Sequence, residues 1–331
     1  MKKLYKYGIL IGLPVFLFYL NRLTNISLGD FFLSYVDPEY NYLFNGINIA
    51  LLRLDIKYYH HPGTPLQCLI AVASVIANIR NRGFTLAENL FVNPEYYLHA
   101  SNIAINLVNA IFLFIIGFFI YRRNRNIIIA LLIQVSPFTN TLFLETMARV
   151  IPESLLGIVT LLLVLLVFYF FTAKSTDNKT FKYIILFSLV SGYGLALKLT
   201  FFPLIIIPLI ILPCFADKMK YLLYTLISFF LFAFPLLSKL DKFGRWIKNL
   251  FVHSGRFGTG ESNIINVPDF ADNVKNLINQ DKFFFLLLLL FIIIIIIYFI
   301  KPLKLKIKND IKYKALISIV LAIVLQCMMV A

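Results

Sequence analysis

Charge is scarce in this chain. Only 14% of its 331 residues are charged, against about a quarter in an ordinary soluble domain. Hydrophobic residues make up 60% and the mean hydropathy is +0.84. Those values exclude a water-soluble globular protein. Acidic residues are scarcer still, 16 against 31 Lys and Arg, for a net charge of +15. Cysteine is nearly absent: Cys68, Cys214 and Cys327 lie apart in apolar segments. That excludes a disulfide framework or a cysteine metal cluster and leaves them as packing residues. No small-residue cleavage site follows the apolar run after Met1-Lys2-Lys3, so the first run is expected to remain as a helix. Internal repeats and low-complexity tails are also missing.

What is present is a series of long apolar runs, over 5–24, 98–120, 127–144, 150–172, 183–197, 201–215, 219–238, 283–300 and 315–331. Crossing about 30 Å of hydrocarbon takes a helix of about 20 residues. The pattern predicts an all-α, polytopic transmembrane helix bundle of about nine spans, forming one domain over 1–331. The short connections 1–7, 121–126, 173–182, 216–220 and 301–314 hold more than half of the Lys and Arg, with only Asp177, Asp217 and Asp310 as acids. Such asymmetry predicts that these loops and the N-terminus are cytoplasmic. The positive charge is then an orientation signal, and no nucleic-acid partner is expected. Residues 25–97 become a long first outer loop, and 239–282 a second. The apolar stretch 65–79 is about 22 Å long as a helix, short for a span. Its polar stripe of Gln67, Ser74 and Asn78 predicts an amphipathic helix on the outer surface, with another over 38–53. A hairpin turning at Lys198-Leu199-Thr200 preserves the charge parity downstream. The sequence stops at Ala331 inside an apolar run, so a further C-terminal part is expected.

Chemistry collects in the first outer loop. Asp37-Pro38-Glu39-Tyr40 is followed by His60-His61-Pro62-Gly63-Thr64-Pro65, and carboxylates and imidazoles beside a bilayer are expensive unless they serve a site. Later outer segments add Glu145 to Arg149 and a glycine-rich stretch, His253-Ser254-Gly255-Arg256-Phe257-Gly258-Thr259-Gly260-Glu261. The order of these elements over about 1–238 resembles the membrane-embedded C-type glycosyltransferases, the superfamily of the aminoarabinose transferase and the protein O-mannosyltransferases. Asp37 stands where that family has its catalytic loop carboxylate, with Glu39 near its second acid. His60-His61-Pro62 resembles the motif opening its second surface helix. Arg149 and Glu153 fall among its polar residues between the third and fourth spans. Gly194-Leu195-Ala196-Leu197-Lys198-Leu199-Thr200 resembles the segment whose lysine faces the donor phosphate. The acid pair departs from the family, being Asp-Pro-Glu rather than adjacent Asp-Glu. The resemblance implies transfer of a sugar from a polyprenyl-phosphate donor to a lipid, glycan or protein acceptor, at the outer face of a bacterial plasma membrane.

The residue types fit that chemistry. Such a transfer needs a base for the acceptor and cations for the leaving phosphate. Asp37 suits the base, or else caps the following helix, with Pro38 at its first position. Glu39 is either a partner within the site or a metal ligand, or else a residue of a solvated helix face. Lys198, the sole charged residue between Lys182 and Asp217, suits phosphate as a point charge or snorkels to the interface. Arg149 suits phosphate, or pairs with Glu145 or Glu153. His60 and His61 suit phosphate or sugar, and His253 and Arg256 a covering loop; His99 suits a contact at a span end. No cofactor is required, and a divalent metal is left open. A transporter or flippase, or a polymerase of lipid-linked sugars, is the alternative. A transporter calls for polar groups at mid-membrane depth, whereas the charges here gather at the outer ends.

Overall fold

Hydrocarbon offers a backbone N–H no partner, so apolar runs of this length satisfy their amides internally, as helices. In the computed structural model every regular element among the described residues is helical. Those residues are 2–33, 39–54, 56–79, 84–173, 180–251, 272, 275–276, 278–300 and 311–330. In chain order the helices are α1 (Lys2–Leu28), α2 (Glu39–Ala50), α3 (Thr64–Asn78), α4 (Leu86–Val92), α5 (Pro94–Asn124), α6 (Ile127–Val135) and α7 (Thr141–Met147). They continue with α8 (Glu153–Thr172), α9 (Thr180–Leu197), α10 (Ile206–Ile211), α11 (Phe215–Phe232), α12 (Leu240–Phe251), α13 (Lys282–Ile300) and α14 (Ile311–Val330).

Four of these, α1, α5, α8 and α9, are long and apolar enough to cross a bilayer. Two bent pairs raise the count to six if each is one span. The expected nine therefore exceeds what helix length and composition support among the described residues. Local chemistry explains two of the shortfalls. The run 127–144 breaks between α6 and α7, where Ser136-Pro137 opens a 3-10 turn and the Asn140 side chain caps α7 by accepting from Phe143 N at 2.6 Å; the bend is 83°. The run 219–238 ends at Phe232, and a 3-10 turn containing Pro235 sends α12 off at 85°. Proline cannot continue either ladder.

The core is built from α1, α5, α8, α9 and α11. Gly192 sets the closest approach of α9 and α11: a Cβ there would lie 2.4 Å from Ser228 Cβ. The hairpin expected at Lys198 is present. Lys198 is extended (φ −157°, ψ 139°), and the chain after it folds back along α9. Tyr221 of α11 fastens that return, its hydroxyl donating to Ile205 O at 3.2 Å and meeting Ser191 Oγ at 2.8 Å.

Helices do form over most of 38–53 and 65–79, but α3 is turned the other way from the expected surface helix. Gln67 and Ser74 are fully buried, whereas Val72 and Ile76 are 58% and 61% exposed. The polar stripe faces the protein, where Gln67 Nε2 donates to Pro62 O at 3.2 Å. The outward face is the apolar one, which suits contact with lipid rather than water.

Candidate functional site

Glu39, in the first turn of α2, is 1% exposed. A solvated helix face is thereby excluded. Its carboxylate accepts from Arg149 Nε and Nη2, each at 3.2 Å, and from Val150 N at 3.0 Å. This is a two-pronged guanidinium contact joining the first loop to the turn before α8, across 110 residues. Burial raises the Glu39 carboxyl above its ordinary range, against the opposing pull of Arg149. Arg149 thus pairs with Glu39 rather than with Glu145 or Glu153.

Glu153, at the start of α8, is the ion-pair partner of Lys198. The Lys198 side chain is only 14% exposed, so its amine does not snorkel to water. An ammonium has three N–H donors, and Glu153 uses one of them. The other carboxylate oxygen, Oε2, is buried and has no donor among the described residues.

The His60–Gly63 loop is sewn to the same place. Gly63 N donates to Leu197 O at 3.1 Å, immediately before Lys198. Gly63 adopts φ +58°, and a Cβ there would also press to 2.8 Å from the Tyr42 ring, so glycine is needed twice over. Asn45 holds the approach, donating to Tyr58 O at 2.8 Å and accepting from Lys57 N at 3.1 Å. His61 consequently sits within electrostatic reach of Lys198 and Glu153. Burial first, and then Lys198, push its pKa down to about 4. The imidazole is neutral at physiological pH, a hydrogen-bonding group and not a cation. Trp246 of α12 covers both histidines, its ring 6.0 Å from His60 and 5.2 Å from His61.

Five of the residues singled out by sequence, Glu39, His61, Arg149, Glu153 and Lys198, gather in this way into two linked ion pairs and a neutral imidazole, with His60 alongside. Asp37, His253 and Arg256 lie outside the described residues. Two cavities flank the cluster. Glu153 lines one of about 430 Å³ with Ser136, Asn140 and Thr146. A largely apolar one of about 260 Å³ opens between α5, α8, α9 and α11, from Leu155 and Tyr193 to Phe232.

Sequence reasoning missed the amide ladder behind the cluster. Asn25 and Asn102 both donate to Ala148 O, at 3.1 and 2.6 Å, and Asn109 to Ser154 O at 2.8 Å. Asn106 donates to Asn102 at 3.0 Å and Asn21 to Asn106 at 3.1 Å, while Arg22 reaches Asn102 at 2.8 Å. Residues 148–154, which carry Arg149 and Glu153, are held from α1 and α5 by these amides. The signal was available: Asn102, Asn106 and Asn109 repeat at helical spacing within an apolar run. Trp246 was also missed.

Asp30, Glu95 and His99 place one ligand atom each within 4.8 Å of one another and are the residues that could hold a cation. Glu95 is already engaged as a cap, accepting from Phe31 N at 3.0 Å, Phe32 N at 3.1 Å and the Tyr40 hydroxyl. His99 Nδ1 faces Asn25 Oδ1 at 3.2 Å. These contacts account for the group as the anchor between the end of α1 and the start of α5. No known family, no curated protein and no solved structure matches this chain.

Proposed function

We propose that the chain is a membrane glycosyltransferase that moves a sugar from a polyprenyl-phosphate donor to an acceptor hydroxyl. The observation that carries this reading is the assembly of Lys198, Glu153 and His61 at one end of an apolar bundle that also contains an apolar cavity of about 260 Å³. Lys198 has ammonium protons to spare for phosphoryl oxygens, and Glu153 Oε2 and neutral His61 suit sugar hydroxyls. The apolar cavity suits part of a prenyl chain. In the reaction, a carboxylate takes the proton of the acceptor hydroxyl, and that oxygen bonds to the anomeric carbon. The bond from this carbon to the phosphate oxygen breaks, and polyprenyl phosphate leaves with the electron pair, stabilised by Lys198. Asp37 is our candidate for the base. The Glu39–Arg149 pair holds the start of α2, two residues further along the chain, against the turn before α8.

In the same reading the full set of about nine spans is kept, with the N-terminus cytoplasmic and the site on the outer face of a bacterial plasma membrane. The partners are the lipid-linked donor, a lipid, glycan or protein acceptor, and the bilayer itself. Lys198→Met keeps the apolar stem and deletes the charge. It should weaken polyprenyl-phosphate-sugar binding about 10- to 100-fold, the range for a lost charge-assisted contact of about 1.5–3 kcal/mol. Lys198→Arg should recover only part, since a planar fork is not a point charge. Unchanged donor affinity in a correctly inserted Lys198→Met protein removes Lys198 from the site and the donor assignment with it.

A further inference from the structure

Trp246 is the sole tryptophan of the chain and is 6% exposed. An indole N–H can only donate, and buried ones nearly always find an acceptor. Here Nε1 is buried with no acceptor among the described residues. His61 Nδ1, on the ring that Trp246 packs against, is likewise buried and unpartnered. Glu153 Oε2, on the ion pair whose charges act on His61, is a further such atom. Three buried polar atoms from three separate segments, none with a partner among the described residues, therefore belong to side chains of one cluster, which also holds an ammonium with protons to spare.

Packing alone would not choose this arrangement. Phe243 stacks on Trp246 at 5.8 Å and fills the same apolar layer without any polar atom. A phenylalanine at 246 would do likewise and avoid burying an idle donor, which costs roughly 1–3 kcal/mol when left unmade.

We propose that Trp246 is a substrate-binding residue whose indole N–H donates to a phosphoryl oxygen of the lipid-linked substrate held at Lys198. This rests on the glycosyltransferase reading and extends it, because it makes α12 one wall of the donor site. The ligand supplies what the cluster lacks: anionic acceptors for the indole and the ammonium, and hydroxyl donors for Glu153 Oε2. His61, neutral between them, takes either role according to tautomer.

The test uses the full chain in detergent micelles, with polyprenyl monophosphate as the probe. Because Trp246 is the only indole, red-edge excited emission reports on it alone. Polyprenyl monophosphate should change that emission saturably, and inorganic phosphate at equal concentration should not. Binding of radiolabelled polyprenyl monophosphate is then compared among wild type, Trp246→Phe and Lys198→Met. Trp246→Phe keeps the ring and removes the N–H, and should weaken binding about tenfold, as for one hydrogen bond to a charged acceptor. Wild-type affinity in Trp246→Phe, with affinity lost in Lys198→Met, overturns the Trp246 assignment and leaves the donor reading standing. No binding to the wild-type protein overturns both. An equal emission response to inorganic phosphate overturns the lipid-linked ligand. The emission titration uses the unaltered protein, so an unstable Trp246→Phe variant does not shelter the proposal.

Discussion

Removing Arg149 should damage the protein in a way that depends on pH, whereas removing Glu39 should not. The two groups form a pair in which Glu39 is 1% and Arg149 11% exposed. Deleting one partner of a buried pair costs about 3–5 kcal/mol, because the survivor is left charged out of water. Arg149→Met leaves Glu39 with Val150 N as its remaining donor in the pairing described above. A carboxylate in that position has an escape, since it can take up a proton. Burial already holds Glu39 above the ordinary value of 4.5, and loss of Arg149, which lowers it, raises it further. A carboxyl raised in the folded state binds more protons there than when unfolded, so stability falls as pH rises from about 4.5 through the folded value. The variant should thus be close to wild type near pH 4.5 and lose most of the 3–5 kcal/mol of the pair by about pH 8. Glu39→Leu leaves Arg149 as a guanidinium, which cannot deprotonate in a protein, so its deficit should be nearly flat over the same range. The double variant Glu39→Leu/Arg149→Met removes both charges and should regain most of the loss, as apolar replacements of buried pairs often do. The measurement is thermal unfolding of the purified chain in one detergent, across that pH range. Parallel pH profiles for the two single variants, with additive losses in the double, would refute the account of this pair.

Four further outcomes are expected. His61 has its folded pKa depressed to about 4 from 6.5, so the unfolded state binds the extra proton between those values. Stability should climb from about pH 4 to about pH 6.5 and then level off, by up to about 3 kcal/mol, and His61→Gln should flatten that part of the profile. Asp37→Asn should keep expression and donor binding while losing about 10²-fold or more in transfer rate, as for a missing general base; near-normal turnover would leave Asp37 only its capping role, which Asn fills as well. In a cysteine-free background, a single cysteine replacing Glu88 should react with an impermeant reagent in intact cells and one replacing Asn124 should not, and labelling at 124 would reverse the orientation. Gly192→Ala should cost about 1–3 kcal/mol by overpacking, because its Cβ would meet Ser228 Cβ at 2.4 Å; an unchanged melting temperature would mean that α9 and α11 separate freely.

The parts of this architecture legible in sequence are those that depend on local chemistry. Long apolar runs became helices, and the turn at Lys198 followed from a lone charge between two such runs. The family-like order of motifs put Glu39, His61, Arg149, Glu153 and Lys198 in one site, but the Glu39–Arg149 pair itself was not legible, since its partners are 110 residues apart and nearer acids, Glu145 and Glu153, were the expected ones. The bends after α6 and α11 were not read, because runs 127–144 and 219–238 were counted whole by length although Pro137 with Asn140, and Pro235, lie inside them. The orientation of α3 was misread for a physical reason. Beside a membrane the exposed face is the apolar one, so the usual rule that polar residues point outward is inverted. Within helices as evenly apolar as α8 and α9, hydrophobic periodicity carries no directional signal at all. The informative residues were the few amides of α1 and α5, and these were passed over.

The Asn and Arg side chains near the end of α1 have a consequence for biogenesis. Asn21 and Arg22 find partners on α5, 85 and 80 residues further along the chain, and Asn25 finds Ala148, 123 residues further along. During synthesis α1 must enter the membrane well before those partners exist, and a polar side chain stranded in lipid is costly. These groups lie in the last two turns of α1, where interfacial water can shelter them for the interval. When α5 arrives, exchanging that water for amide contacts fixes the helix pair in one register, in the manner of helices that insert first and associate afterwards. The turn bearing Arg149 and Glu153 can dock only onto this completed pair. The order of translation therefore dictates that the scaffold is finished before the charged cluster is assembled upon it.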